Sequence, residues 1–144
     1  MHYRMKPTSL LLYAFSAIVL CGCGKSNEAP RTVVEGTVTF QSQPIENGAI
    51  TFAPIQGLNG AAVQLKIQDG KFSTATDAND KRGIVIGQND VEIIAYKKTG
   101  KQIKDPDNNL SDEIIQFIPE KYNTKTTLRQ EITAGKNELV FDLK

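Results

Sequence analysis

The chain has 144 residues, with 17 Lys and Arg against 16 Asp and Glu for a formal net charge of +1. So even a balance lacks the clustered basic excess of a nucleic-acid footprint. The single histidine is His2, the two cysteines are Cys21 and Cys23, and there is no tryptophan. Beyond residue 23 no imidazole or thiol exists, so Ser–His and Cys–His nucleophilic catalysis are excluded and a catalytic zinc site is disfavoured.

The N-terminus reads as an export signal. Arg4 and Lys6 precede an uncharged run from Ser9 to Leu20. As a helix, that run reaches only about 18 Å against a hydrocarbon core of roughly 30 Å, so a secretory h-region fits better than a transmembrane helix. It ends in Leu20-Cys21-Gly22-Cys23. This segment resembles the lipobox of bacterial lipoproteins, and the resemblance implies cleavage before Cys23 and acylation of that cysteine. A redox or metal pair at Cys21 and Cys23 would need two intervening residues and a second ligand pair, and neither is present. Residues 1–22 are therefore expected to be a signal peptide, and 23–32 a lipidated cysteine with a flexible tether. Without residues 1–22 the side-chain charge becomes −1, because Arg4 and Lys6 leave. Two or more acyl chains hold stably where one holds only reversibly, so the expected partner is a membrane and the expected location is the cell envelope. Gly24 follows the cysteine rather than aspartate, which by the enterobacterial sorting rule favours the outer membrane.

From Val34 the apolar period is two. Val34, Gly36, Val38 and Phe40 share one face, and Gln43-Pro44 and Asn47-Gly48 mark a turn. Ile50 and Phe52 begin a second strand, stopped by Pro54, and Val63, Leu65 and Ile67 form a third. Asp69-Gly70 before Phe72 is a hairpin signal, since both central turn residues need positive φ. Residues 77–83 are polar, Ile84-Val85-Ile86 is wholly apolar, and Val91, Ile93 and Ala95 alternate again. Residues 97–113 have no apolar period and are expected to be an extended loop. A short strand is expected near Ile114 to Ile118, followed by strands carrying Leu128 to Ile132 and Leu139 to Leu143. Seven or eight short strands at this spacing predict an all-β antiparallel sandwich over residues 33–144.

Val34-Glu-Gly-Thr-Val-Thr-Phe40 and Gln43-Pro-Ile-Glu-Asn-Gly-Ala-Ile50 resemble the opening of carboxypeptidase-regulatory-like domains, which have a transthyretin-like (prealbumin-like) sandwich. Ile118-Pro-Glu-Lys-Tyr-Asn123, Gly135-Lys-Asn137 and Phe141-Asp-Leu143 are similar to small lipoproteins of planctomycete-type bacteria. The resemblance implies a non-catalytic accessory or binding module; the function expected here is a binding or structural module of the envelope, with an envelope protein or polysaccharide as partner and no cofactor. Transthyretin-like hydrolases use histidines and a C-terminal tyrosine-containing signature, and this chain ends Phe141-Asp-Leu-Lys144, so an enzyme role is disfavoured.

Three weaker candidates remain. Asp105, Asp107, Asp112 and Glu113 put four carboxylates in nine residues, enough oxygen for calcium, but without the central glycine and alternate ligand spacing of an EF-hand loop. The alternative is a solvated loop, and the same holds for residues 77–80. Lys97, Lys98, Lys101 and Lys104 form a basic run that would suit anionic headgroups or simply keep a loop soluble. Tyr96 and Tyr122 would suit a sugar- or peptide-stacking face, the alternative being that Tyr122 packs beneath the preceding loop.

Overall fold

A computed structural model describes residues 29–76 and 83–144. Cys23, the tether up to residue 28 and the polar loop at 77–80 lie outside the described residues. The strands are β1 (Arg31–Thr32), β2 (Val34–Phe40), β3 (Gln43–Pro44), β4 (Asn47–Pro54), β5 (Val63–Gln68) and β6 (Lys71–Ser73). They continue with β7 (Ile84–Val85), β8 (Gly87–Lys104), β9 (Leu110–Gln116), β10 (Arg129–Ile132) and β11 (Asn137–Leu143), with one 3-10 turn at Glu120–Tyr122. Among the described residues the protein is an all-β sandwich. Three of the strands have only two residues, leaving eight longer ones, in line with the seven or eight that alternation predicts.

The alternation is visible as burial. In β5, Val63, Leu65 and Ile67 are buried and the residues between them exposed. In β11 the buried set is Asn137, Leu139, Phe141 and Leu143. The Asp69-Gly70 turn has φ of +49° and +74°, the two positive values a tight hairpin needs, and it joins β5 to β6.

The main sheet runs β10-β8-β4-β5-β6-β2-β11, with β3 added to β2 and β9 to β8. β5 and β6 share a single residue pair, Gln68↔Lys71, and the sheet folds over at that point. In a flat sheet β4 and β11, four strands apart, would be separated by roughly 19 Å. Instead the Phe52 ring of β4 lies 6.5 Å from Phe141 of β11 and 6.0 Å from Phe72 of β6. The core therefore sits between a β10-β8-β4-β5 layer and a β6-β2-β11 layer, filled by Val38, Ile50, Leu65, Ile93 and their neighbours around the three rings.

One ladder departs from the antiparallel rule. β2 and β11 run parallel over seven pairs, from Asn137↔Val34 to Leu143↔Phe40. No hairpin joins these two strands, so no turn dictates their relative direction. The register requires Gly36, because a Cβ there would lie 2.2 Å from the Leu139 carbonyl oxygen.

The stretch at 97–113 is not an extended loop. β8 continues unbroken to Lys104, the chain turns at 105–109, and β9 returns antiparallel to it. Asn89, Val91, Ile93 and Ala95 of β8 alternate in the core. Past Ala95 neither face of the ribbon is covered, so nothing selects an apolar period and the strand leaves no alternation to read. The result is a two-stranded arm projecting from the sandwich, irregular between Lys98 and Gln102 where Gly100 takes φ +82°.

Phe52 is almost fully buried and meets both rings of the facing layer. Phe52→Ala is expected to cost about 3–5 kcal/mol in urea denaturation. Val140→Ala, on a side chain that is 75% exposed, is expected to stay within about 0.5 kcal/mol of the parent.

Candidate functional site

The arm orders the acidic cluster without gathering it. Asp105 opens the turn: its Oδ1 accepts the Asn109 N–H at 2.8 Å and its Oδ2 accepts the Asn109 amide at 3.2 Å. The backbone closes the same turn, with Asp105 N–H donating to the Asn109 carbonyl at 3.0 Å. The Asn109 N–H holds the Asp105 carboxyl below the usual carboxylate range, with the Asn109 side chain adding to the effect. Asp112 pairs with Lys98 at 2.6 Å, and Glu113 accepts the Thr99 hydroxyl at 2.5 Å. The Asp112 contact, first as hydrogen bond and then as charge, raises the Lys98 ammonium above its ordinary pKa. Consecutive strand residues point to opposite faces, so Asp112 and Glu113 diverge. Among the described residues no group of three or more His, Cys, Asp or Glu side chains converges.

The arm carries apolar residues that the core does not use. Leu110 and Ile114 are 62% and 60% exposed, and Ile103 and Ile115 are also open to solvent. The ladder Lys98↔Ile114 and Lys97↔Ile115 places Ile114 on the outer face with Lys98 and Tyr96. Ile115 lies on the face that continues the core side, with Lys97. Ile103 and Leu110 stand inside a polar stretch of the sequence and Ile114 and Ile115 in an expected short strand, but their joint exposure was not legible, because it depends on both faces of a ribbon being bare.

Where the arm leaves the sandwich there is a hollow of about 620 Å³, lined by Phe40, Pro44, Tyr96, Lys98 and Phe117 among others. Phe40 and Phe117 meet edge to face with centroids 5.8 Å apart, and the Lys97 ammonium sits 5.4 Å above the Phe117 ring. Tyr96 lines this hollow, is 48% exposed and stands opposite Gln116. An amphipathic ring beside cations and two aromatic residues can stack on a flat apolar group. Phe40 and Phe117 are contributors that the sequence reading did not single out.

Tyr122 is elsewhere. Its ring packs partly buried against the core, and its hydroxyl donates to the Lys144 carbonyl and accepts the Lys144 N–H, both at 2.9 Å. The bond to Lys144 lowers the Tyr122 pKa, and Lys121 adds to the shift. Asn123 ties the same segment together, donating to the Ile118 and Pro119 carbonyls at 3.1 and 3.2 Å. Asn137 does the equivalent at the β10–β11 turn, donating to the Thr133 and Gly135 carbonyls at 2.8 and 3.0 Å. The Ile118-to-Asn123 and Gly135-to-Asn137 segments thus hold the last strand in place.

A second hollow, of about 750 Å³, lies by β2, β5 and β6 and includes Glu35, Lys66, Lys71, Phe72 and Glu138 in its lining. Its charges are mixed, and Glu35 is paired with Lys136 at 2.7 Å. Among the described residues no helix is long and apolar enough to cross a membrane.

No protein-family model matches the chain, and no curated protein does. Among solved structures it is similar to a 9R-lipoxygenase from Cyanothece PCC8801, at 14% identity and a TM-score of 0.30. That alignment spans 82% of this chain but 17% of the lipoxygenase, and a likeness this slight carries no argument about function.

A carboxylate with a lowered pKa stabilises above its unfolded pKa, and the effect is lost as pH falls through the folded value. The Asp105 turn is therefore expected to lose amide-exchange protection at Asn109 as the pH drops below the ordinary carboxylate range. Asp105→Asn keeps an oxygen acceptor and is expected to remove that acid dependence. Tyr122→Phe is expected to speed amide exchange at Leu143 and Lys144 while leaving the arm unchanged.

Proposed function

We propose that this protein is a lipid-anchored, non-catalytic component of the cell envelope that works as a binding or structural module, held by acylated Cys23. The lipobox-like Leu20-Cys21-Gly22-Cys23 supports the anchor, and the lack of imidazole and thiol beyond residue 23 supports a non-catalytic role.

The observation that carries the reading is the placement of the two ends of β8. The N-terminal segment meets the fold beside the start of this strand: Ile86 N–H donates to the Pro30 carbonyl at 2.8 Å, and Arg31 pairs with Val85. The buried Asn89 amide fixes the same corner by donating to the Val85 and Gly87 carbonyls at 2.9 and 3.0 Å. The arm occupies the opposite end of the same strand, beginning at Tyr96 and ending β8 at Lys104, seventeen residues on from Gly87 and a contour of roughly 55 Å. A tether at one end and an uncovered apolar arm at the other suit a protein that is held at a surface and presents the arm away from it.

A second reading is an accessory subunit that docks on an envelope or transport complex by adding a strand at a sheet edge. It is favoured by β9, which pairs with β8 alone among the described residues. Affinity purification from detergent-solubilised membranes that returned polysaccharide and no protein would remove this reading.

The anchor has a direct test. Mass spectrometry of the mature N-terminus is expected to show an acylated Cys23, and Cys23→Ser is expected to leave the membrane fraction. A Cys23→Ser protein that still sediments with membranes at high salt sinks the proposal.

A further inference from the structure

Sheet edges in monomeric proteins are blunted by charged side chains, lysine above all, and by proline, bulges, brevity or a covering element. β9, Leu110-Ser-Asp-Glu-Ile-Ile-Gln116, is seven residues long and has no lysine or proline, and its two charged side chains, Asp112 and Glu113, are taken up inside the ribbon by Lys98 and Thr99. The arm's four lysines and the extra residues of its irregular segment all belong to β8. β11 also ends its ladder, but Leu139, Phe141 and Leu143 are buried in the sandwich, so core packing holds it. β9 has no such packing. Ile114 and Leu110 are open on one face and Ile115 on the other. A two-stranded ribbon alone is marginal in water, and independent stability needs three or more strands.

We propose that the arm is an interface between two copies of this chain, with β9 of one copy paired antiparallel to β9 of the other in a continuous β8-β9-β9-β8 sheet. A second copy supplies two strands at once, which meets the ribbon's need for additional strands. Charge favours it over a strongly acidic or basic partner. Residues 97–113 hold Lys97, Lys98, Lys101 and Lys104 against Asp105, Asp107, Asp112 and Glu113, so the arm is neutral and neither repels its copy nor steers a charged molecule.

The pattern of β9 is also compatible with itself. Antiparallel pairing centred on Ile114 sets Ile114 beside the second copy's Ile114. Glu113 then faces the second copy's Ile115, and Asp112 its Gln116. No carboxylate stands opposite another, a juxtaposition that would destabilise the pair. Asp112 and Glu113 are in any case already engaged within their own copy by Lys98 and Thr99. Steric room points the same way. Antiparallel pairing sends the two sandwiches to opposite ends of a paired segment, residues 112–116 of each copy, about 17 Å long, whereas parallel pairing would crowd both at one end. The contact is isologous and closes at two copies.

This proposal rests on the arm being the interaction element and is independent of the anchor at Cys23. Its test is disulfide trapping in the full chain, expressed with its own N-terminus and oxidised in whole cells, so that it reads out whether or not the chain is membrane-held. Directly opposed strand residues bring Cβ atoms to about 4.5–5.5 Å, close to disulfide range after small adjustment. Ile114→Cys is expected to give a band of doubled mass that reductant abolishes. Val140→Cys, more exposed still on β11 and carrying the same native cysteines, is expected to give none. Ile114→Asp, which sets carboxylates face to face only in the pair, is expected to halve the light-scattering mass of the detergent-solubilised protein. The proposal is overturned if Ile114→Cys stays monomeric, or if Val140→Cys traps a dimer as readily. Trapping of Ile114→Cys to a different protein would also overturn it while leaving the arm as the interaction element.

Discussion

One strand sits in two environments, and the architecture depends on how it manages both. The first part of β8 pairs with β4 on one side and β10 on the other and sends Asn89, Val91, Ile93 and Ala95 into the core. The second part leaves the sandwich and pairs only with β9. Backbone pairing continues through the change, from Ala95 against Gly48 to Tyr96 against Gln116. The Phe117 N–H donates to the Ala95 carbonyl at 3.2 Å, and the Lys97 ammonium caps the Phe117 ring at 5.4 Å. Those contacts let a buried strand become an exposed one without leaving the junction open. They also place the 620 Å³ hollow with Tyr96 at the root of the arm.

Stability is accordingly uneven along a single element. The sandwich is clamped by Phe52, Phe72 and Phe141 between layers and by the parallel β2–β11 ladder at its side. The C-terminal clasp of Tyr122, Asn123 and Asn137 fixes that last strand from outside. The arm has hydrogen bonds and the surface Lys98–Asp112 ion pair, and a pair of that kind contributes little in high dielectric. Local opening in proteins follows the distribution of buried apolar contact, so in a single copy the arm is expected to open more readily than the sandwich.

Most of the sandwich was legible because one buried face writes a period of two into the sequence. Val63-Gln-Leu-Lys-Ile67 and Leu139-Val-Phe-Asp-Leu143 are readable for that reason, and Asp69-Gly70 for the positive φ its turn demands. Residues 97–113 read as a loop because a ribbon bare on both faces writes no period. The acidic cluster invited a cation reading because spacing along the chain does not reveal that a strand turns Asp112 and Glu113 to opposite sides. The parallel β2–β11 ladder was invisible because it joins segments about a hundred residues apart, and nothing local encodes its direction. The Ile118-to-Asn123 and Gly135-to-Asn137 segments stood out by resemblance, yet their physical work is closure of turns. Tyr122 of that set spends its hydroxyl on Lys144 and does not join Tyr96 at a common face.

The residues that the fold does not need are the informative ones. A polar ribbon could have been built with threonine or glutamine at 110, 114 and 115 at no loss to the core, because none of the three side chains enters it. Leucine and isoleucine there leave apolar surface in water at roughly 25 cal/mol for each Å² that a contact would remove. On a sheet edge that cost comes with a row of backbone groups having no strand opposite among the described residues. Both are relieved by the same event, the arrival of another strand along β9. The alternative, an arm that stays bare, would carry a cost at three positions without a compensating contact anywhere in the sandwich.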